Sequence, residues 1–358
     1  MLLHDIIIDR IQTEGTLSFR NFMEMALYYP GLGYYTSGED KIGKNGDYYT
    51  SPHYTSLFGQ TIAKQLEEMW HKLGREPFTI VEYGAGNGML CNDILTELCK
   101  NSELFDQLKY CVIEKGSSFK KRKAGSINDK VNCYDNIREI LPFDGCVLSN
   151  ELIDNLPVHQ VVMKNELMEV FVGYENGFVE ILKPASPELK NYFTELDVVL
   201  PEGFRTEINL EAINWIQDIA AVLQKGFVLT IDYGYSSSNL YQESRNCGTL
   251  VCYHKHQVNN NYYQSIGSQD ITAHVNFSAL KHWGLKNELQ YCGFTNQAYF
   301  LLGLGLSMQA RLQNIEGDAS RFLQTFLLDM GSKLKVLIQQ KGVTESKLSG
   351  LNFSQQLI

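Results

Sequence analysis

The chain has 358 residues, enough for one elaborated domain or two folding units at about 150 residues per unit. Hydrophobic residues make up 44% and charged residues 20%, ordinary globular usage that excludes a disordered, collagenous or coiled-coil chain. The 31 Lys and Arg against 41 Asp and Glu leave a net charge of −10, which argues against a broad nucleic-acid surface and tolerates a cationic partner.

The opening MLLHDIIIDRIQTEG breaks its apolar run at Asp5 and Asp9 and has no basic leader region, so it reads as neither a secretory signal nor an Arg-rich transit peptide. No segment reaches the roughly 18 apolar residues that cross a bilayer. The expected setting is therefore cytoplasmic, without membrane insertion. Helical character runs to Leu27, after which YYPGLGYYTSGEDKIGKNGDYYTSPHY carries seven tyrosines between positions 28 and 54. A loop of that length fits a cover over a ligand, although for any single tyrosine simple packing with the hydroxyl outward is the plainer reading. From Ser56 to Leu73, Phe58, Ile62, Leu66, Met69, Trp70 and Leu73 mark one helix face, with Gly74 as its stop.

Phe78 to Val81 form a β-rich run followed by a Gly turn and by Leu90, Ile94 and Leu98 at helical spacing: strand, tight turn, helix. Tyr110 to Ile113 and Gly145 to Leu148 repeat the strand pattern, which implies parallel strands in an α/β sheet. Asn176-Gly177 is a type I′ hairpin signal inside a small antiparallel insertion, roughly residues 158–205. Ala212, Trp215, Ile216, Ile219, Val222 and Leu223 give another helix, closed by Gly226 and followed by a strand over 227–232. The Tyr- and Asn-rich stretch 234–276 reads as a long loop or lid, and the tail from Ser307 to Gln340 as helical. The resulting division is an N-terminal helical segment with its Tyr/Gly loop over 1–75, a core over 76–157 and 206–342, and the insertion between the two core halves.

Eight cysteines occur without a CxxC pair and read as reduced thiols, while His254 and His256 form only an i, i+2 surface pair. No metal site is expected. The most informative segment is Glu82-Tyr83-Gly84-Ala85-Gly86-Asn87-Gly88, whose alternate glycines let a ligand approach the backbone at a strand-to-helix turn. A dinucleotide fingerprint would place its third glycine at position 89, where Met stands. Glu82 would repel a phosphate, whereas S-adenosyl-L-methionine (SAM) brings a sulfonium and an ammonium and no phosphate. Glu114, ending the next strand, would then accept the ribose hydroxyls.

The second constellation is SNELIDNLP, residues 149–157, after the strand that should lie beside the Gly turn. Glu151 and Asp154 can orient a basic nucleophile, and guanidinium is the cation that best rewards forked carboxylate recognition. The plain alternative makes Asp154 a helix cap and Glu151 a solvated charge. Asp232 and Tyr233 end another strand, and Gln269 to His274, with Asp270, read as the start of a capped helix; either could add a substrate wall. A triad of Ser149, Asp232 and His274 lacks the G-x-S-x-G elbow a nucleophilic serine needs.

The ordered blocks GLGYYTSG, GDYYTSPHYTSLFG, VEYGAGNG, SNELIDNLPV, TIDYG, GTLVCYHKH, QDITAHVNF and MGSKLKVL make the chain, from about Phe22 to Gly342, resemble the MidA family. Eukaryotic members of that family are mitochondrial complex I assembly arginine methyltransferases. The resemblance implies a class I SAM-dependent methyltransferase fold, a Rossmann-like three-layer α/β sandwich around a mixed seven-stranded sheet, with a small antiparallel β insertion. It implies that Gly84, Gly86 and Gly88 hold the methionine end of SAM, Glu82 its ammonium and Glu114 its ribose, while Thr50, Ser51 and Pro52 close over it. Glu151 and Asp154 would hold the target guanidinium, with Asn150 and His159 as secondary candidates. The implied reaction is protein arginine N-methylation, giving symmetric dimethylarginine on a complex I type subunit, and a homodimer is compatible with it. His53 after TSP and Asn276 in HVNF both stand where the family pattern has an acidic residue. Two other readings are an assembly chaperone that binds a client without catalysis and a small-molecule N- or O-methyltransferase.

Overall fold

The computed structural model of the protein describes residues 2–38, 41, 46–47, 50–114, 130–306, 330–344, 347–354 and 357. In chain order its strands are β1 (Leu17–Ser18), β2 (Phe78–Tyr83), β3 (Leu108–Ile113), β4 (Val131–Tyr134), β5 (Phe143–Asn150), β6 (His159–Lys164), β7 (Glu166–Tyr174), β8 (Phe178–Pro184), β9 (Arg205–Ile208), β10 (Leu223–Tyr235), β11 (Val251–His254), β12 (Gln257–Asn259), β13 (Asp270–Thr272), β14 (Val275–Asn276), β15 (Gln290–Asn296) and β16 (Leu334–Lys341).

Seven of them form the central sheet in the order β15-β16-β10-β5-β2-β3-β4, with the short β14 added against the end of β10. From β10 to β4 every pairing is parallel, and β16 runs antiparallel to both of its neighbours. Parallel strands are covered on both faces, which is why FTIVEY and FVLTID are nearly continuous apolar runs. Helices Leu57–Lys72 and Met89–Leu98 cover one face, where Ile80, Tyr110 and Leu148 pack against Ile62, Leu66 and Ile94. Helices Leu210–Val222 and Phe277–Lys286 cover the other, where Val81, Cys111 and Val147 meet Ile216, Ile219 and Leu280. This is the mixed seven-stranded α/β sandwich that the resemblance implies.

Gly226 does not end the preceding helix as its position suggested. The helix stops at Val222, the strand begins at Leu223, and Gly226 lies within it at φ 152°. A β-carbon there would sit 1.9 Å from the Gly145 carbonyl oxygen, and one on Gly145 would sit 1.9 Å from that of Thr79. Two glycines thus let β2, β5 and β10 come together at one level of the sheet.

The C-terminal tail is a second correction. Residues 307–329 lie outside the described part, but after one helical turn, Met330–Lys333, the chain becomes β16 and not helix. The run LKVLI fits the pleat between β10 and β15, and this tertiary pairing outweighs the local helical pattern. Likewise Asp270–Thr272 is strand, antiparallel to β11, and the helix starts at Phe277. Asn276 is its N-cap, its side chain accepting the Ala279 N–H, a task Asp performs equally well.

Beyond the core, β1-β7-β6-β9 and the Asn176-Gly177 hairpin strand β8 make a separate antiparallel sheet, which also carries the helix Pro187–Glu195. A third cluster buries Phe19, Phe22, Met23 and Tyr34 against Val172, Cys252 and Ile271. The stretch over 234–276 therefore contains a three-stranded sheet, β12-β11-β13, packed on the N-terminal helices.

Candidate active site

The carboxyl ends of β2, β5 and β10 point the same way, and the register sets Tyr83 beside Ser149 and Asn150 beside Ile231. The residues that follow these strands therefore converge on one edge.

After β2 the chain turns through Gly84 (φ 69°), Gly86 (φ 56°) and Gly88 (φ 82°), all in the left-handed region that glycine alone adopts without strain. A β-carbon on Gly84 would also lie 2.7 Å from Leu152 Cδ1, in the loop after β5. Gly84 N–H donates to the Ile113 carbonyl at 3.0 Å, and Gly86 N–H to Glu114 Oε2 at 3.3 Å. Glu114 thus stands at the end of β3 with its carboxylate on the Gly turn. Glu82, at the end of the strand before the turn, is buried and accepts the Tyr110 hydroxyl at 2.7 Å. Burial, against this hydrogen bond, pushes its carboxyl up to about 7.

His53 ties a second segment to the turn. Its Nδ1 is 2.8 Å from the Thr50 hydroxyl and its Nε2 accepts Asn87 Nδ2 at 2.7 Å. Accepting at Nε2 requires the neutral ring with its proton on Nδ1, and burial lowers the His53 pKa, favouring that form. Pro52 sits buried in the first turn of the helix Ser51–Tyr54, and Ser51 reaches across to the other loop. Its N–H donates to Glu151 Oε1 at 3.1 Å and its hydroxyl to Gln297 Oε1 at 3.2 Å. Gln297 was not foreseen: it opens the helix Gln297–Gly303 after β15, and no spacing in the sequence joins it to Ser51.

The loop after β5 holds the acids. Glu151 has φ 51°, a left-handed conformation that costs a non-glycine residue about 1 kcal/mol or more and clusters at functional sites. Its Oε1 accepts Ser51 N–H and Asn150 Nδ2, the latter at 3.1 Å. Burial, then the neighbouring Asp232 charge, raise its carboxyl to about 8 against those hydrogen bonds. Asp154 is 7% exposed, and its Oδ1 is buried with no hydrogen-bond partner. Its pKa is raised well above the carboxylate range by burial and then by Asp232, Asp270 and Glu151. Asp270 accepts the Tyr35 hydroxyl at 2.8 Å and is raised to about 7, again by burial. Tyr35 in turn accepts Asn155 Nδ2 at 2.9 Å, and Tyr28 donates to Asn155 Oδ1 at 3.1 Å. Tyr233 lies beside the same charges; burial and then Glu151 and Asp154 raise its hydroxyl pKa far above 10.

Three expected site residues are engaged within the protein. Asp232 is fully buried and spends its carboxylate on backbone: Oδ2 accepts Leu152 N–H at 3.1 Å and Ile153 N–H at 2.7 Å, Oδ1 its neighbour Tyr233 N–H at 2.8 Å. His159 lies on β6 with Nδ1 2.6 Å from buried Glu169 Oε1, a pair internal to the insertion sheet. His274 packs edge-on against Tyr235, and burial with the Arg245 and Lys335 charges drops its pKa to about 4. With Asp232 so engaged and Ser149 Oγ buried without a partner, no serine triad exists.

The carboxyls of Glu151, Asp232 and Asp270 thus all lie within electrostatic reach of Asp154, and no ion pair with Lys or Arg is seen for any of the four among the described residues. Two buried acceptors there, Asp154 Oδ1 and Asn150 Oδ1, have no donor. Such a cluster suits a planar cation with several N–H groups. Beside it, a glycine turn with a carboxylate and, among the described residues, no Lys or Arg paired to that carboxylate fits a ligand that is cationic and free of phosphate.

A family model described as "Putative S-adenosyl-L-methionine-dependent methyltransferase" matches residues 61–295. The chain is 23% identical to the mouse mitochondrial protein arginine methyltransferase NDUFAF7, over 87% of this chain and 76% of that protein. It is 24% identical to the Drosophila melanogaster mitochondrial homologue, over 95% and 85% respectively. The crystal structure of a Burkholderia thailandensis protein bound to S-adenosyl-homocysteine superposes with a TM-score of 0.89 at 28% identity, covering 99% of this chain and 95% of that one.

Proposed function

The chain belongs to this family of S-adenosyl-L-methionine-dependent methyltransferases, and from that premise we propose that the group it methylates is the guanidinium of an arginine in a protein substrate. The single observation that carries the reading is the buried cluster of carboxyls with its unpartnered Asp154 Oδ1. The names of the mouse and fly relatives agree with it.

SAM supplies a methyl on a sulfonium that is already activated to leave. Gly84, Gly86 and Gly88 would cradle its methionine end by backbone, and Glu114 its ribose hydroxyls. The fit rests on the left-handed glycine turn and on Glu114, which already faces the Gly86 N–H. The task left to the chain is alignment, water exclusion and handling of one proton.

Arginine enters charged, and its attacking nitrogen must lose a proton as the N–C bond forms. Glu151 and Asp154 fix the guanidinium by forked hydrogen bonds, and Asn150 adds an acceptor. Entry of the cation favours ionised carboxylates, countering the burial that raises them in the free protein. Glu151, held by Ser51 and Asn150, accepts the proton released from the attacking nitrogen. Asp270, fixed by Tyr35, provides a further negative charge near Asp154. A subunit of respiratory complex I type, symmetrically dimethylated in the cytoplasm, is the substrate this reading favours.

The test is calorimetric. In the presence of S-adenosyl-homocysteine, an arginine peptide should bind, while the same peptide with citrulline or lysine should bind at least tenfold more weakly. Equal binding of the citrulline peptide would remove the charge-recognition role of the pocket.

A further inference from the structure

Glu151 poses a structural problem. It is a non-glycine residue in left-handed backbone, at the end of a central strand, and its carboxyl is directed at Ser51. Left alone, the chain would relax φ to negative values and swing the side chain out of its place. Something must hold the turn.

We propose that Asp232 is the positioning residue that locks Glu151 in this conformation, by gathering the backbone N–H groups of the turn on one carboxylate. Oδ2 takes both Leu152 N–H and Ile153 N–H, and Oδ1 takes Tyr233 N–H, which fixes the carboxylate's own orientation. One residue earlier on the same strand, the Ile231 carbonyl accepts Glu151 N–H at 2.9 Å. The peptide groups on both sides of the Glu151 α-carbon are therefore tied to consecutive residues of β10. On the far side of the turn, Asn209 Nδ2 donates to the Ile153 carbonyl at 3.0 Å, and Ala273 N–H to the Asp154 carbonyl at 2.7 Å. Asp232 is fully buried and its carboxylate is spent on the backbone N–H groups of Leu152, Ile153 and Tyr233, so it acts through Glu151. The inference rests on the proposed role of Glu151 only for its catalytic consequence; the conformational lock stands on the hydrogen bonds alone.

Asp232→Asn is the informative change. The amide keeps one acceptor oxygen but turns an N–H₂ toward a backbone N–H, so part of the lock is replaced by donor against donor. The experiment is a thermal-stability cycle with Glu151→Gly, Asp232→Asn and the pair, read beside turnover and SAM affinity. Glycine at 151 removes the left-handed strain, so Glu151→Gly should raise the melting temperature in the Asp232 protein and lose that gain in Asp232→Asn. Equal effects in both backgrounds would overturn the lock. In Asp232→Asn, kcat should fall at least tenfold while SAM affinity stays within threefold; a parallel loss of both would mark Asp232 as a general fold residue. If Asp232→Asn does not fold, Asp232→Glu, which keeps the charge but displaces the turn, enters the same cycle. Should no arginine substrate be methylated at all, the cycle still reports on the lock, so the two readings fail separately.

Discussion

Glu151 is where sequence, backbone and chemistry meet. A buried carboxyl raised to about 8 is largely protonated in the free enzyme at neutral pH, and it must be ionised to hold a guanidinium. The sign follows: kcat/KM should climb as pH rises from 6 to about 8 and then level. Glu151→Gln should keep SAM affinity within about threefold, lose turnover by roughly 100-fold, equivalent to about 3 kcal/mol, and flatten that limb of the profile. A pH–rate profile with an unchanged rising limb in the variant would assign the titration to another acid. Gln297 and the Tyr28–Asn155–Tyr35–Asp270 chain belong to this scale as well. Their partners lie 120 to 246 positions apart, so no local pattern could announce them.

At the scale of elements, the glycine turn was legible because it is local: alternate glycines between an apolar strand and a helical period dictate a left-handed turn wherever they occur. The acids after β5 were legible for the same reason, since strand ends in an open α/β sheet are where ligands bind. Strand β16 was not, because eight residues of LKVLIQQK owe their state to the slot between β10 and β15. Nor was the use of Asp232, whose position at a strand end suggests a ligand until the backbone N–H groups facing it are seen. His53 illustrates a departure with a structural answer: its two ring nitrogens bridge Thr50 and Asn87, one donating and the other accepting. Two predictions follow for calorimetric SAM titration. Gly86→Val, which places a β-branched residue at φ 56°, should abolish measurable binding. His53→Ala, which releases the Thr50 segment from the Gly turn, should weaken it about tenfold; unchanged affinity would mean that segment does not help to hold the cofactor.

For the molecule as a whole, the acids impose a distinctive pH dependence. Glu82, Asp232 and Asp270 are raised to about 7 and Glu151 to about 8 in the folded protein, chiefly by burial. In the unfolded chain such groups titrate near about 4. Between these limits the folded state binds more protons, so stability is highest below the unfolded values and is lost as pH rises through 7 to 8. The melting temperature of the ligand-free protein should fall between pH 5.5 and 8.5, and a bound arginine peptide should lessen the fall. A melting temperature that rises over that interval would contradict the unpaired burial of these carboxyls. The N-terminal segment contributes Tyr28 and Tyr35 to this edge of the core and the stretch after β10 contributes Asp270, while the insertion sheet packs against the N-terminal helices. The pocket is thus built from four distant parts of the chain, and unfolding any of them should empty it.

The most direct measurement is the chemical identity of the methylated product. Wild-type protein and Glu151→Gln would be incubated with methyl-labelled SAM and a protein extract, and the proteins hydrolysed to amino acids. The predicted result is label in methylarginines with the wild type and near-background label with the variant. Label in methyl-lysine or in small molecules, or equal methylarginine from both proteins, would contradict the assignment of this acidic pocket to arginine.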